Sequence, residues 1–246
     1  KHGTRLKDVH RIRFGHSIRE TILLMKQTPA HDHHNPDVLT FLPEASETIV
    51  EVGCSTGALA KAYKKINPGC RYVGIEIDSE YAELARRYCD AVINADIENA
   101  AEDVLQPLAS TDCWVFSDTL EHLRDPWAVL KRLRSLIADS ACVVACIPNV
   151  QHWSIQAKLC RGEFRYEEIG LMDRTHLRWF TRITIIDLFH SAGFNIIEGG
   201  PRVFEEAGRD AVLPAIRSMA LAVGADPEMA VADATAFQYV VKAVPA

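Results

Sequence analysis

The clearest chemical pattern in this chain runs Ile49-Val50-Glu51-Val52-Gly53-Cys54-Ser55-Thr56-Gly57-Ala58-Leu59. An apolar run enters a small-residue turn and leaves it with helical spacing. Such a turn lets backbone approach a ligand closely and aims helix N–H groups at it. A dinucleotide site takes G-x-G-x-x-G, or alanine at the last place. Here Ser55 stands at the second glycine and Ala58 fits the third. Glu51 would repel a pyrophosphate, whereas a phosphate-free ligand with a cationic end tolerates it. Two more acids close apolar runs: Glu76 in Gly74-Ile75-Glu76-Ile77-Asp78, and Asp96 in Asn94-Ala95-Asp96-Ile97. An acid where Glu76 stands can take both hydroxyls of a ribose, in a nicotinamide enzyme as much as elsewhere. A further segment, Ser117-Asp118-Thr119-Leu120-Glu121-His122-Leu123-Arg124-Asp125-Pro126, follows another apolar run.

The turn read as Glu51-x-Gly53-x-Ser55-x-Gly57, then Glu76, Asp96 and Ser117–Pro126, resembles the class I S-adenosylmethionine-dependent methyltransferases. The resemblance covers about residues 46–244, and Ser55 is its departure. It implies S-adenosylmethionine as cofactor, held by Glu51, Gly53, Ser55, Gly57, Glu76, Ile77, Asp96, Ile97, Ser117 and His122. In that family the acid matching Asp96 faces the adenine amino group, and the segment matching Ser117–Pro126 lines the methionine end. The fold implied is a Rossmann-like, doubly wound seven-stranded α/β sheet, mostly parallel with an antiparallel last strand.

Methyl transfer from a sulfonium is an in-line displacement, so holding the partners aligned is a large part of the work. An alcohol acceptor must also lose a proton, which a general base assists. Asp118, His152 and His176 are the catalytic candidates, because ligands lie beyond the carboxyl ends of strands in open α/β sheets. The stretch 149–180 is polar and aromatic, and a loop of that length is more often functional than incidental. Its Pro148-Asn149-Val150-Gln151-His152-Trp153 and Met172-Asp173-Arg174-Thr175-His176-Leu177-Arg178-Trp179-Phe180 resemble a methyltransferase subgroup found with glycosyltransferases and polysaccharide-building enzymes. That implies a sugar hydroxyl or similar polar acceptor. Asn149, Trp153, Tyr166, Arg174 and Arg178 are the acceptor candidates, through ring stacking and charge-assisted hydrogen bonds.

Two other functions are compatible with the turn. A NAD-dependent oxidoreductase or epimerase would show a tighter glycine motif and usually a Tyr-x-x-x-Lys pair, which this sequence lacks. A catalytically silent cofactor-binding module of a glycan-assembly protein would keep the pocket without turnover. The run His31-Asp32-His33-His34 could ligate a metal, but three loop histidines without a second cluster do not argue for a catalytic one, and none is assigned.

The elements that must position these residues follow from periodicity. Continuous apolar runs predict strands at Thr48–Gly53, Arg71–Ile77, Ala91–Ala95, Cys113–Ser117 and Ala141–Ile147, the last stopped by Pro148. Helical spacing between them predicts Ala58–Ile66, Ser79–Tyr88 capped by Ser79, a stretch around Ala100–Leu108, and Pro126–Ile137. Then come a helix at Ile183–Ala192 closed by Gly193, a strand at Phe194–Ile197, a helix at Arg209–Val223 and a strand at Phe237–Val244. Ahead of them, Phe14–Met25 has helical spacing and Gln27–Pro36 reads as a loop. Residues 1–45 form a basic, helical flank and 46–246 the main domain with its insert.

The 246 residues, 48% hydrophobic and 24% charged, describe an ordinary globular chain. A net charge of −6 argues against general nucleic-acid binding, although residues 1–19 carry six Lys/Arg against Asp8 alone. The longest apolar run, Ala141–Ile147, is far short of the roughly 18 residues of a membrane span. Lys1–Glu20 lacks the apolar region of a secretory leader, and seven cysteines without a C-x-x-C pair suit reduced thiols, so a cytoplasmic setting is expected. The first residue is not Met, so the chain is expected to be cut from something longer. A fused or associated glycosyltransferase, and a homodimer, are compatible partners.

Overall fold

In the computed structural model, residues 28, 29 and 32–246 are described. The basic 1–19 segment, the helix expected at Phe14–Met25 and His31 lie outside them. Seven strands form one sheet: β1 (Thr48–Val52), β2 (Arg71–Glu76), β3 (Ala91–Asn94), β4 (Cys113–Ser117), β5 (Cys142–Pro148), β6 (Phe194–Arg202) and β7 (Gln238–Pro245). Their spatial order is β3-β2-β1-β4-β5-β7-β6. β1 to β5 pair in parallel, and β7 runs antiparallel between β5 and β6. The order reverses at β1, where the chain steps across to β4, and an open α/β sheet places its ligand crevice there.

The central strands are apolar on both faces because helices cover both. One face buries Val50, Val73, Trp114, Phe116 and Val143 beneath α5 (Pro126–Leu136) and α7 (Arg182–Ser191). The other buries Ile49, Tyr72, Val115 and Val144 beneath α1 (Pro36–Phe41) and α2 (Ala58–Tyr63), with α3 (Ser79–Ala85). Trp114 is 1% exposed, and truncating such a ring costs about 3–5 kcal/mol. Six of the seven free cysteines are buried and Cys160 is exposed. No described helix is long and apolar enough to cross a membrane.

Several local expectations change. Asp78, not Ser79, caps α3, accepting from Glu80 N–H (2.8 Å) and Tyr81 N–H (3.2 Å). The stretch near Ala100–Leu108 splits into α4 (Glu102–Leu105) and a 3₁₀ turn. Within the loop read as 27–36, Asn35 caps α1. The insert contains α6 (Trp153–Cys160), and α9 (Pro227–Thr235) follows α8 (Arg209–Ala222). β6 extends through Gly199-Gly200-Pro201 to Arg202, because an edge strand tolerates a proline that a central strand would not.

Candidate active site

The carboxyl ends of β1 to β4 border a cavity of about 940 Å³, near the upper end of the roughly 300–1,000 Å³ typical of ligand pockets. It is built first by the β1–α2 turn. Gly53 has φ +73°, and a Cβ there would stand 2.8 Å from Thr119 Oγ1, which donates to Val52 O at 2.9 Å. Ser55 also adopts a left-handed backbone, φ +46°. Its N–H donates to Glu76 Oε2 at 2.8 Å, and Asp78 N–H donates to Oε1 at 3.0 Å. Two backbone amides therefore fix the buried Glu76 carboxylate at the cavity wall. Glu51 is buried on the same wall and accepts from Tyr72 Oη at 2.9 Å. Burial pushes its carboxyl well above the usual range, against the opposing Tyr72 hydrogen bond.

Around the rim, Ile77 is 58% exposed and presents an apolar face beside Asp96 and Ile97. Asp96 closes its own turn, accepting from Glu98 N–H (2.9 Å) and Asn99 Nδ2 (2.7 Å). Ser117 ends β4, and Asp118 follows with φ +55°. Asp118 accepts from Ser117 Oγ at 3.2 Å and from Gln238 Nε2; Gln238 Oε1 in turn accepts from Arg202. Arg202 Nε donates to Asp37 Oδ2 at 2.6 Å. This chain crosses from α1 to the cavity floor. Burial raises the Asp118 carboxyl, while Ser117 and Arg202 pull it back.

The far wall comes from the insert. Leu177 N–H (2.8 Å) and Arg178 N–H (3.0 Å) donate to Glu121 O, docking the loop on the segment after β4. Asp173 shapes the loop, accepting from Thr175 Oγ1 (2.6 Å), Thr175 N–H (2.8 Å) and Thr28 Oγ1 (3.0 Å). The rings of His122 and His176 meet edge to face, 4.8 Å between centroids. His122 Nδ1 lies 3.2 Å from Thr175 O and 3.0 Å from Thr175 Oγ1; His176 Nδ1 lies 3.2 Å from Leu171 O. Burial lowers both imidazoles, His176 to about 4, and raises Glu121 well above a normal carboxyl.

Of the sequence candidates, Glu51, Gly53, Ser55, Glu76, Ile77, Asp96 and Ile97 line this cavity, as do Ser117, Asp118, His122, Arg174 and His176. Gly57 does not; its φ of +77° and contact with Ala85 backbone, where a Cβ would come within 3.2 Å, give it a packing reason. His152 is likewise outside, fully buried against Phe237 and Trp153, with Nδ1 2.9 Å from Ser154 Oγ and Nε2 3.0 Å from Glu206 Oε2. Asn149 donates to Asp233 O (2.7 Å) and Ala236 O (2.8 Å), which ties β5 to the end of α9. Trp153 Nε1 donates to Glu206 Oε2 at 2.9 Å. Tyr166 joins Phe164 and Trp179 in a surface aromatic cluster, and Arg178 reaches Arg124 O. These positions were drawn toward the site by neighbouring motif residues, but their side chains point into structural contacts. Sequence reasoning passed over Glu121, Thr175, Arg202 and Gln238, all of which line the cavity. Glu121 lay in view beside His122, whereas Gln238 is 120 residues from its partner Asp118 and has no local signal.

A methyltransferase-domain family model matches residues 30–198, and the chain belongs to that family of methyltransferases. No curated sequence relative matches it. Solved structures share its fold. Magnesium protoporphyrin IX methyltransferase from Synechocystis PCC 6803 with bound S-adenosylhomocysteine superposes at TM-score 0.57 with 13% identity, over 86% of this chain and 81% of that one. A Thermotoga maritima S-adenosylmethionine-dependent methyltransferase, described as a possible histamine N-methyltransferase, gives 0.55 with 17% identity over 84% of each chain. An O-methyltransferase from neocarzinostatin biosynthesis, in complex with S-adenosylhomocysteine and 1,4-dihydroxy-2-naphthoic acid, gives 0.53 with 12% identity, over 85% and 52%.

Proposed function

We propose that this chain methylates a hydroxyl of a polar small molecule, of the sugar class, using S-adenosylmethionine. The observation that carries this reading is the single 940 Å³ cavity shared by the Ser55 turn, Glu76 and the acidic rim on one side and the Asp173–His176 wall on the other. Its residues suit a phosphate-free nucleoside. Glu76 offers a fixed acceptor for ribose hydroxyls, Ile77 an apolar face for a base, and Glu51, Asp118 and Glu121 carboxyls for a cationic end. When bound, S-adenosylmethionine supplies an electrophilic methyl group. An acceptor oxygen would bond to that methyl as the carbon–sulfur bond broke, its electron pair returning to sulfur, and the hydroxyl proton would pass to Asp118 or His176.

Asp118 and His176 remain the proton acceptors within reach of the cavity, and Arg174 the cation that faces a hydroxyl-rich or anionic acceptor. His152 is given a structural role instead. Proteins of this fold include a magnesium protoporphyrin IX methyltransferase and an O-methyltransferase solved with a dihydroxynaphthoic acid, so the sugar class rests on the insert's resemblance and on the Asp173, Arg174, Thr175 and His176 side chains it brings to the cavity. Calorimetry with S-adenosylmethionine, S-adenosylhomocysteine and NAD tests the cofactor; binding of NAD alone would sink the proposal. A screen of nucleotide sugars and glycans with labelled methyl donor tests the acceptor.

A further inference from the structure

Glu121 is 1% exposed, and among the described residues neither of its carboxylate oxygens has a hydrogen-bond partner. A buried carboxylate left this way costs several kcal/mol unless a charge or donor answers it. The nearest polar groups are the two imidazoles. Each points its Nδ1 at a backbone carbonyl, Thr175 O for His122 and Leu171 O for His176. A carbonyl only accepts, so both rings carry their proton on Nδ1 and present an Nε2 lone pair. His176 Nε2 stands 4.0 Å from Glu121 Oε1. One ligand atom from each of the three residues lies within 4.8 Å of the others. Three potential ligand atoms thus converge from two walls of the cavity.

We propose that Glu121, His122 and His176 form a binding site for a divalent transition-metal ion. The donor set, two imidazole nitrogens and one carboxylate, suits zinc, cobalt or manganese better than calcium or magnesium, which favour oxygen. Backbone carbonyls on both Nδ1–H groups orient the rings as outer contacts of metal-binding histidines commonly do. Bonds of roughly 2.0–2.2 Å would require the three groups to draw together from separations of up to 4.8 Å. The insert supplies His176 and the β4 segment supplies the other two, so a metal would join the two walls of the cavity. Asp173 and Arg174 line the same cavity, and a divalent cation there would acidify the hydroxyl of an acceptor bound beside it. A metal on His176 Nε2 would leave Asp118 as the proton acceptor; the site stands on these side chains alone, and its part in methyl transfer rests on the function proposed above.

The test is metal binding by the full chain after chelator treatment, followed by titration with Zn²⁺ and by the visible spectrum with Co²⁺. S-adenosylhomocysteine binding and melting are recorded on the same samples. The expected result is one equivalent bound, with a nitrogen-ligated Co²⁺ spectrum. Glu121→Gln and His176→Asn should each weaken binding at least tenfold. The double variant His33→Ala/His34→Ala, which removes the loop histidines at the rim, should leave the stoichiometry at one. Failure of the wild-type chain to bind metal while it binds S-adenosylhomocysteine overturns the site and spares the cofactor reading. Metal binding without S-adenosylhomocysteine binding does the reverse. Unchanged affinity in folded Glu121→Gln and His176→Asn, or loss in the His33/His34 variant, also overturns it. If Glu121→Gln does not fold, His176→Asn and the wild-type Co²⁺ spectrum still decide.

Discussion

Ser55 N–H donates 2.8 Å to Glu76 Oε2, so the first turn of the cavity is fastened to the end of the neighbouring strand through the backbone of its only non-glycine left-handed residue. The side chain at position 55 takes no part in that bond. A left-handed residue with a Cβ costs about 1–2 kcal/mol, while glycine gives back about 0.5–1 kcal/mol through unfolded-state entropy. Ser55→Gly should therefore leave stability equal or raise it by up to about 1 kcal/mol, with S-adenosylhomocysteine affinity retained. Ser55→Val places a β-branched residue where it is a genuine outlier and should destabilise by more than 1 kcal/mol or so. Denaturant melts of the pair decide it; a glycine variant less stable than the valine variant would refute the account.

Glu76→Gln keeps the volume but replaces an anionic acceptor and presents an N–H₂ to two backbone N–H donors. Hydrogen bonds to charged groups contribute about 1.5–3 kcal/mol each. S-adenosylhomocysteine affinity should fall at least tenfold by calorimetry. Affinity within twofold of wild type would remove Glu76 from the cofactor's contacts.

Burial raises the Glu51 carboxyl well above its usual range in the ligand-free chain, against the Tyr72 hydrogen bond. A cationic ligand in the cavity favours the ionised form and lowers that pKa. Where the raised carboxyl is protonated, S-adenosylmethionine binding should therefore release protons, seen as a dependence of binding enthalpy on the buffer's ionisation enthalpy. Glu51→Gln should reduce that dependence; an undiminished one would place the proton elsewhere.

His152 is fully buried and burial holds its imidazole below the ordinary value of 6.5, with Glu206 opposing. The unfolded chain then binds more protons than the folded one as pH falls below 6.5. The contribution of His152 is complete above about 6.5 and is lost as pH falls toward the depressed folded value. Comparing urea midpoints of wild type and His152→Gln from pH 7.5 to 5 checks the sign: the wild type should lose more. If folded His152→Gln instead lost turnover at pH 7.5 with stability unchanged, the residue would return to the chemistry.

Asn149→Leu removes two buried donors and leaves Asp233 O and Ala236 O without them. At about 1–3 kcal/mol for each unsatisfied group, the loss should be about 2–4 kcal/mol or more. Thermal melts measure it, and a shift smaller than that of an exposed control such as Glu83→Ala would contradict the structural role.

Much of the cavity wall was legible because its residues sit at or just after the ends of parallel strands, and the β-to-α rhythm places strand ends together without knowledge of distant pairing. The acceptor side was harder. Asn149, His152 and Trp153 follow β5 as site residues often do, but their side chains turn toward α8, α9 and Glu206, a contact set by packing between elements far apart in sequence. The extension of β6 to Arg202 was hidden behind Gly199-Gly200-Pro201, which reads as a turn unless the strand is known to be an edge. Glu121 looked like one acid among many until its surroundings showed two acceptors and no donor.

The bond between Gln238 and Asp118 has a consequence for the order in which this protein acquires its site. The two residues are 120 positions apart, and Gln238 is presented only after β7 has slid between β5 and β6. A ribosome that has finished β1 through β5 has made the cavity residues at the ends of those strands, yet the Gln238 partner of Asp118 is still missing. Non-local strand insertion of this kind is slow, because loop closure precedes any gain from the contact. The nascent chain thus carries its binding motifs as an unfinished pocket while the stretch between β5 and β7 is made, and the pocket closes when β7 arrives.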